Sequence, residues 1–359
     1  MENERSHYSV RSDYRDEGHW PEGVRSSPKR RKIPVVDRIS DLPDSVIHHI
    51  LSFLPAEDAV KTGVLSKRRM YLWTFAPKLT FRHNPHPLGF SRQSFLSSNG
   101  RLEKLVLKDM QNHDDGEHND VIEILCPNLK SVEILGYCYG KICRLLNVSS
   151  LIDVCLTFEY EDYQFDYIDF LKELLEKIKH VKKITLGTWC VEVSPFIGVL
   201  YILEFRGLPS PLSGSSCECL TLNTKLIKCH PFGLADLLHC FPTLQKLVID
   251  MTIFYEVKEP PDEFFPGNNL ERVDRTFNCL LEHLKTIEIT SFIPYQLEPD
   301  DLGFVSFLLG NARVLKEVVI HFECKGSEFD LGEKAKLFDL TQKLLSFPRC
   351  SPHAVVLID

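Results

Sequence analysis

The chain has 359 residues, 43% hydrophobic and 26% charged, an ordinary globular composition and a length that predicts two or three domains. Its formal charge of −8 and pI near 6.0 argue against nucleic acid as a principal partner, because phosphate binding wants a basic face. No apolar run approaches the ~20 residues of a membrane span, and the first residues are polar and charged, unlike a secretory signal. The expected location is nucleus and/or cytoplasm, with no membrane partner.

Residues 1–36 mix Ser, Arg, Asp, Glu and Pro with little apolar content and predict a disordered tail. Within it Lys29, Arg30, Arg31 and Lys32 form a compact basic run, a nuclear-import candidate whose plain alternative is a solvated charge cluster.

Residues 37–81 read as a compact helical module. Ser40 or Asp41 can cap a first helix over 40–54, and Pro43 suits its first turn. Val46, Ile47, Ile50, Leu51 and Leu54 make one broad apolar face. Pro55 ends that helix, Glu57 and Asp58 open a second that Gly63 closes, and a third runs from about Ser66 to Phe75. Residues 82–101 form a Pro/Ser-containing linker.

From Leu102 a short phrase, apolar-x-x-apolar-x-apolar, keeps returning. It occurs as Leu102/Leu105/Leu107, Leu129/Val132/Ile134, Leu151/Val154/Leu156, Val181/Ile184/Leu186, Cys217/Leu220/Leu222, Leu244/Leu247/Ile249, Leu284/Ile287/Ile289 and Leu315/Val318/Ile320. Each predicts a short strand behind an anchored turn. Amphipathic segments lie between, with Ile168, Leu171, Leu175 and Ile178 on one face and Leu234, Leu237, Leu238 and Phe241 on another. Several intervals fall in or near the ~20–29 residues of leucine-rich repeats. The fold class predicted is α/β, a degenerate leucine-rich-repeat solenoid of parallel strands and helices over 102–275. An ordinary doubly wound α/β domain is the alternative. Residues 276–359 continue the pattern with helices bearing Leu302, Val305 and Leu309, then Leu337, Leu340, Thr341, Leu344 and Leu345, and a last strand over 354–358. Such a unit could cap a solenoid.

Residues 37–81 resemble an F-box. The likeness is carried by Asp37-Arg38-Ile39-Ser40-Asp41-Leu42-Pro43-Asp44, Ile50-Leu51-Ser52-Phe53-Leu54-Pro55, Asp58-Ala59-Val60, Val64-Leu65-Ser66-Lys67-Arg68 and Leu72-Trp73. Residues 276–359 resemble the FBD region that accompanies F-box and leucine-rich repeats in a plant family, through Leu284-Lys285-Thr286-Ile287, Phe304 to Ala312, Leu315-Lys316 and Leu344 to Arg349. The resemblance implies a three-helix F-box that docks on a Skp-type adaptor and, through it, a cullin. It also implies repeats that hold a target protein, so that the chain recognises substrates for an SCF-type ubiquitin ligase. By the same resemblance the docking residues are Leu42, Pro43, Ile47, Ile50, Leu51, Leu54, Val64 and Trp73, with Leu42, Pro43 and Ile47 foremost. Such a subunit is not an enzyme and needs no cofactor. Arg69 stands where related sequences usually carry tryptophan, which predicts weakened docking, and the connector before Leu102 is shorter than in relatives.

No phosphate loop, nucleophile elbow or zinc-protease helix is present. Cys217, Cys219, Cys229, His230, His239 and Cys240 lack the spacing of a structural zinc site, and the 12 cysteines read as free thiols, many of them packed as small hydrophobes. His113 to His118 reads as a solvated loop, and His83 and His86 fall in the linker. Two other functions stay open. One is a hormone-type small-molecule receptor, which would need a basic pocket; no Lys/Arg clustering on alternate strand positions is visible in the sequence. The other is a ligase-independent scaffold.

Overall fold

The computed structural model describes residues 41–68, 70–82, 93–97, 101–110, 120–138, 141–159, 165–187, 210, 212–224, 237–251, 282–293, 302–323 and 331–359. The tail with Lys29–Lys32, Arg69, His83, His86, the 113–118 segment, Cys229 and His230 lie outside them. Residues 43–359 form one compact unit.

Helix α1 spans Asp44–Leu51 and starts on Pro43, whose carbonyl accepts from the Val46 and Ile47 amides. Proline has no N–H, and a helix start has no partner for one, so the helix opens there and not at Ser40 or Asp41. Turn bonds from Phe53 to Ile50 and from Leu54 to Leu51 wind it down before Pro55. Helix α2 spans Ala56–Lys61 and runs directly into a 3-10 turn over Thr62–Leu65. The third helix expected from Ser66 is instead a single 3-10 turn, Leu72–Phe75. Ser66 is extended (φ −162°, ψ 153°) and so breaks the chain from the preceding turn. Ala76 is held extended, as the residue before a proline must be.

Among the described residues thirteen strands follow: β1 Lys78–Arg82, β2 Gln93–Ser97, β3 Lys104–Lys108, β4 Asp120–Leu125, β5 Ser131–Tyr137, β6 Lys141–Asn147, β7 Asp153–Glu159, β8 Lys183–Leu186, β9 Cys219–Asn223, β10 Lys246–Asp250, β11 Thr286–Phe292, β12 Glu317–Phe322 and β13 Val355–Ile358. Later helices include α3 Phe165–Lys177, α4 Gly303–Asn311 and α5 Leu331–Ser346. Ten strands build one all-parallel sheet in the order β1-β3-β5-β7-β8-β9-β10-β11-β12-β13, and β2-β4-β6 build a second. The order rises steadily along the chain, without the reversal at which a doubly wound sheet changes direction.

The register explains the repeating phrase. Its second residues align as Leu105, Val132, Val154, Ile184, Leu220, Leu247, Ile287 and Val318, and its third as Leu107, Ile134, Leu156, Leu186, Leu222, Ile249, Ile289 and Ile320. All sixteen are buried, as are the leading residues from Leu102 to Leu315. Two rungs were not visible as phrases. Leu79 and Phe81 of β1 sit beside Leu105 and Leu107, and Val356 and Ile358 of β13 sit beside Val318 and Ile320. The parallel sheet therefore begins at Lys78, inside the segment assigned to the helical module, and β2 lies within the stretch read as linker.

The strands are joined by a second device at the turns. The Glu103 carbonyl accepts from the Lys130 and Ser131 amides, and Lys130 from Ile152 and Asp153. Lys182 accepts from Glu218 and Cys219, and Glu218 from Gln245 and Lys246. Each turn's carbonyl thus ties down the next turn through main-chain bonds, the task an asparagine ladder would otherwise perform. The helical module joins this architecture at β1: Pro55 bridges to Thr80, and Ala56, Ala76 and Leu79 belong to the same apolar cluster as the strands.

Candidate docking surface

The helical module divides its apolar residues sharply. Ile47, Leu51, Ala56, Ala59, Leu72 and Ala76 are buried, while Val46, Ile50, Phe53, Val60, Val64, Leu65, Met70 and Tyr71 are exposed. These eight are half of the exposed large apolar side chains among the described residues. So dense an apolar display marks an interaction surface.

The geometry holding that display in place is local. Arg68 donates from Nε and Nη2 to one Asp44 carboxylate oxygen, at 3.1 and 2.6 Å, tying the segment after the 3-10 turn to the first turn of α1. Both side chains are about half exposed, so the pair directs the fold more than it stabilises it. Gly63 is buried against the backbone of Met70, and a Cβ there would sit 3.1 Å from the Met70 Cα. Any larger residue would push these two passes of chain apart by a few tenths of an ångström. His48 lies beside the Phe75 ring, with centroids 6.0 Å apart, and its Nε2 is buried with no hydrogen-bond partner.

The residues expected to dock separate into two groups. Pro43, Ile50 and Val64 are exposed, Val64 at 90%, and Leu42 and Leu54 are partly exposed. Ile47 and Leu51 are 5% and 3% exposed, so the structure places them in the module's own core. Both point inward because they lie four apart on the face of α1 that meets the rest of the chain. Trp73 likewise packs against the continuous core. Sequence reasoning put Val46 on the apolar face of the first helix and Leu65 in the closing helix, and passed over Phe53, Val60, Met70 and Tyr71. The available signal was an apolar content beyond what a module of this size can bury.

The solvent-facing side of the large sheet carries a feature the sequence concealed. Lys78 pairs in register with Lys104, and Arg82 with Lys108. Two cations thus stand beside two others on alternate positions of β1 and β3, correcting the expectation that no such clustering exists. Lys104 is salt-bridged to Glu133 on the next strand. The pairing was invisible because β1 was not recognised as a strand.

Two of the candidate cysteines, both buried, donate their thiols to neighbouring oxygens. Cys217 is buried and its thiol donates to the Cys219 carbonyl at 3.1 Å; the Cys240 thiol donates to the Ser210 hydroxyl at 3.0 Å. Burial pushes Cys217 and Cys138 up to about 12, and Cys155 up to about 11. A thiol held protonated is neither nucleophile nor metal ligand. Among the described residues no group of three or more His, Cys, Asp or Glu could hold a metal ion, and no helix is long and apolar enough to cross a membrane.

Comparison with known proteins places names on two of these regions. The F-box domain family matches residues 39–68, and the FBD family matches residues 275–320. An F-box/FBD/LRR-repeat protein of Arabidopsis thaliana is 58% identical over 52 residues, 14% of this chain and 12% of that one. Another of the same description and organism is 40% identical over 91 residues, 22% of this chain and 19% of the relative. A third Arabidopsis chain, named for an F-box and LRR repeats, is 23% identical over 422 aligned positions, covering 82% of this chain and 89% of its own length. The chain thus aligns with less than two thirds of the first two relatives and most of the third. It carries an F-box and an FBD region and is homologous to F-box/FBD/LRR-repeat proteins.

Proposed function

We propose that this chain is the substrate-recognition subunit of an SCF-type ubiquitin ligase, non-catalytic itself, in which the F-box docks on a Skp-type adaptor and thereby on a cullin. The observation that carries the proposal is the exposed apolar surface from Val46 to Leu65, which lies within the F-box match over 39–68. A module that leaves Phe53, Val64 and Leu65 at 74%, 90% and 69% exposure has its apolar surface ready for a partner. In the same proposal the steadily ordered parallel sheet lines the concave face of a leucine-rich-repeat solenoid, and its solvent-facing strand positions hold a target protein. Holding a target near activated ubiquitin raises the effective concentration of its lysines and requires no bond chemistry of this chain. The basic run Lys29–Lys32 would direct import to the nucleus, with the cytoplasm as the other working compartment.

Binding to a purified Skp-type adaptor tests the docking half. Wild-type protein is expected to co-elute with the adaptor, and a Val64→Lys/Leu65→Lys variant to elute alone with its thermal unfolding unchanged. Co-elution of the variant at wild-type yield would refute the assignment of this surface.

A second reading has one observation in its favour. The in-register cations Arg82 and Lys108 suit an anionic small molecule, as in a hormone-type receptor, since like charges directly opposite one another are destabilising until neutralised, whereas Lys104 beside Lys78 already pairs with Glu133. Thermal stabilisation by small organic anions, lost in Arg82→Ala/Lys108→Ala, would favour it over the protein-only reading.

A further inference from the structure

The solvent-facing side of the large sheet is electrically two-ended. Along the row nearest the C-terminal ends of the strands, Arg82 of β1 stands beside Lys108 of β3. Leu135 and Thr157 follow on β5 and β7, and Asn223 of β9 then leads to Asp250 of β10. Asp359, whose amide donates to the Ile320 carbonyl, closes the row beside β12. Elsewhere on this side most charge cancels. Lys104 pairs with Glu133 and Lys246 with Glu288, and Asp153 stands in register beside Lys183. What is left has one sign at each end. Lys78, Arg82 and Lys108 lie on β1 and β3, with no ion-pair partner among the described residues. Asp250, Glu317 and Asp359 lie at the far end, where Glu317 accepts from the Thr286 hydroxyl and Asp359 lies 3.4 Å from the His321 Nδ1.

We propose that this side of the sheet takes an extended segment of a target protein, acidic at one end and basic at the other, laid across the strands with its acidic end over β1 and β3. This rests on the reading that the solvent-facing strand positions hold a target, and adds the target's chemistry and direction. Charge decides the direction, because reversing the segment would set like charges together at both ends. Spacing decides the length. The run β3-β5-β7-β8-β9-β10 is five strand-to-strand steps, about 24 Å at ~4.8 Å each, which an extended chain covers in about seven residues at ~3.3 Å apiece. Between the two ends Thr157 and Asn223 are half-buried and uncharged, so the middle of the segment needs no charge. Leu135 favours an apolar residue just inside the acidic end. Arg82, Lys108 and Asp359 are exposed to water, so the attraction is salt-sensitive and steers the target more than it holds it.

Fluorescence anisotropy of dye-labelled synthetic peptides with the full chain at low salt tests this. The first peptide carries three glutamates, a leucine, an uncharged spacer of about seven residues and three lysines, and is made in both chain directions. The second has the same residues with glutamate and lysine alternating, and the third has serines in place of the lysines. The first, in one direction or the other, is expected to bind about fivefold more tightly than either of the others, or better. That advantage should vanish in ~1 M salt, where screening reaches ~3 Å. Arg82→Glu/Lys108→Glu should abolish the preference while its unfolding midpoint and its co-elution with the adaptor stay as in wild type. No binding of the first peptide, or equal affinity for the first and second, overturns the proposal. A third peptide bound as tightly as the first overturns it in favour of a site for an anion alone, and a preference that survives the charge reversal overturns the placement over β1 and β3. Failure of the wild-type chain to co-elute with the adaptor would instead strike the ligase reading and leave the peptide result standing.

Discussion

Val64 and Ile47 were both expected at the docking surface, and the structure assigns them opposite roles that one pair of substitutions separates. Val64 is 90% exposed and Ile47 5%. Val64→Ala removes two methyl groups, worth about 0.8 kcal/mol each when buried. Almost none of that is realised in the free chain, so the unfolding midpoint should not move. If the adaptor covers Val64, about 1.6 kcal/mol of binding is lost, a ten- to twentyfold weaker Kd. Ile47→Ala does the converse: a cavity in the core should cost about 2–5 kcal/mol of stability, a drop in midpoint of several degrees, and affinity should suffer only through the unfolded fraction. Calorimetric titration with a Skp-type adaptor beside thermal unfolding of both variants reads all four quantities. An unchanged Kd for Val64→Ala would refute the surface assignment, and an unchanged midpoint for Ile47→Ala would refute the core assignment.

At Gly136 the backbone has φ +70°, and a Cβ would lie 2.0 Å from Asp109 Oδ1. Gly136→Ala should therefore lose about 1–3 kcal/mol in chemical denaturation, part of which Asp109→Gly should return by removing the obstructing carboxylate. The thiols of Cys138, Cys155 and Cys217 are raised by burial to about 12, 11 and 12. The folded state therefore keeps protons that the unfolded chain releases from about pH 9. Their contribution to stability is complete below pH 9 and lost as pH rises toward 11–12, so denaturation midpoints should fall across that window and fall less in Cys→Ala variants. The same burial predicts that Cys350, which is exposed, reacts with a thiol reagent long before these three. Arg69→Trp should tighten adaptor binding, and equal affinities would remove the idea that this departure weakens docking.

The sheet was legible because its chemistry is periodic. Every phrase from Leu102 to Ile320 corresponds to a strand whose second and third residues stand in the two buried columns. Of the terminal rungs the last was legible as a strand over 354–358, whereas Leu79/Phe81 fell within the segment read as a helical module, although the buried Ala76 stands where the phrase places its leading residue. The helical module was legible as a family pattern but not as a surface. Apolar spacing on α1 marks a face without saying which neighbour covers it, so Ile47 and Ile50, three apart, looked equivalent. The cation pairs on β1 and β3 depend on a register between residues 26 positions apart, which no local pattern encodes.

The junction at β1 has a mechanical consequence. Lys78–Arg82 is at once the exit from the F-box and the first strand of the sheet, the Pro77 carbonyl accepts from the Glu103 and Lys104 amides, and Pro55 bridges to Thr80. There is no swivel between handle and blade. On the proposed function, a target seated on the sheet would be carried at a set reach and bearing from the adaptor. The lysines that receive ubiquitin would then be chosen by where they fall in space, with little regard to the residues around them. Lengthening the chain at Ala76-Pro77 would loosen that aim and broaden the pattern of modified lysines without touching either binding surface.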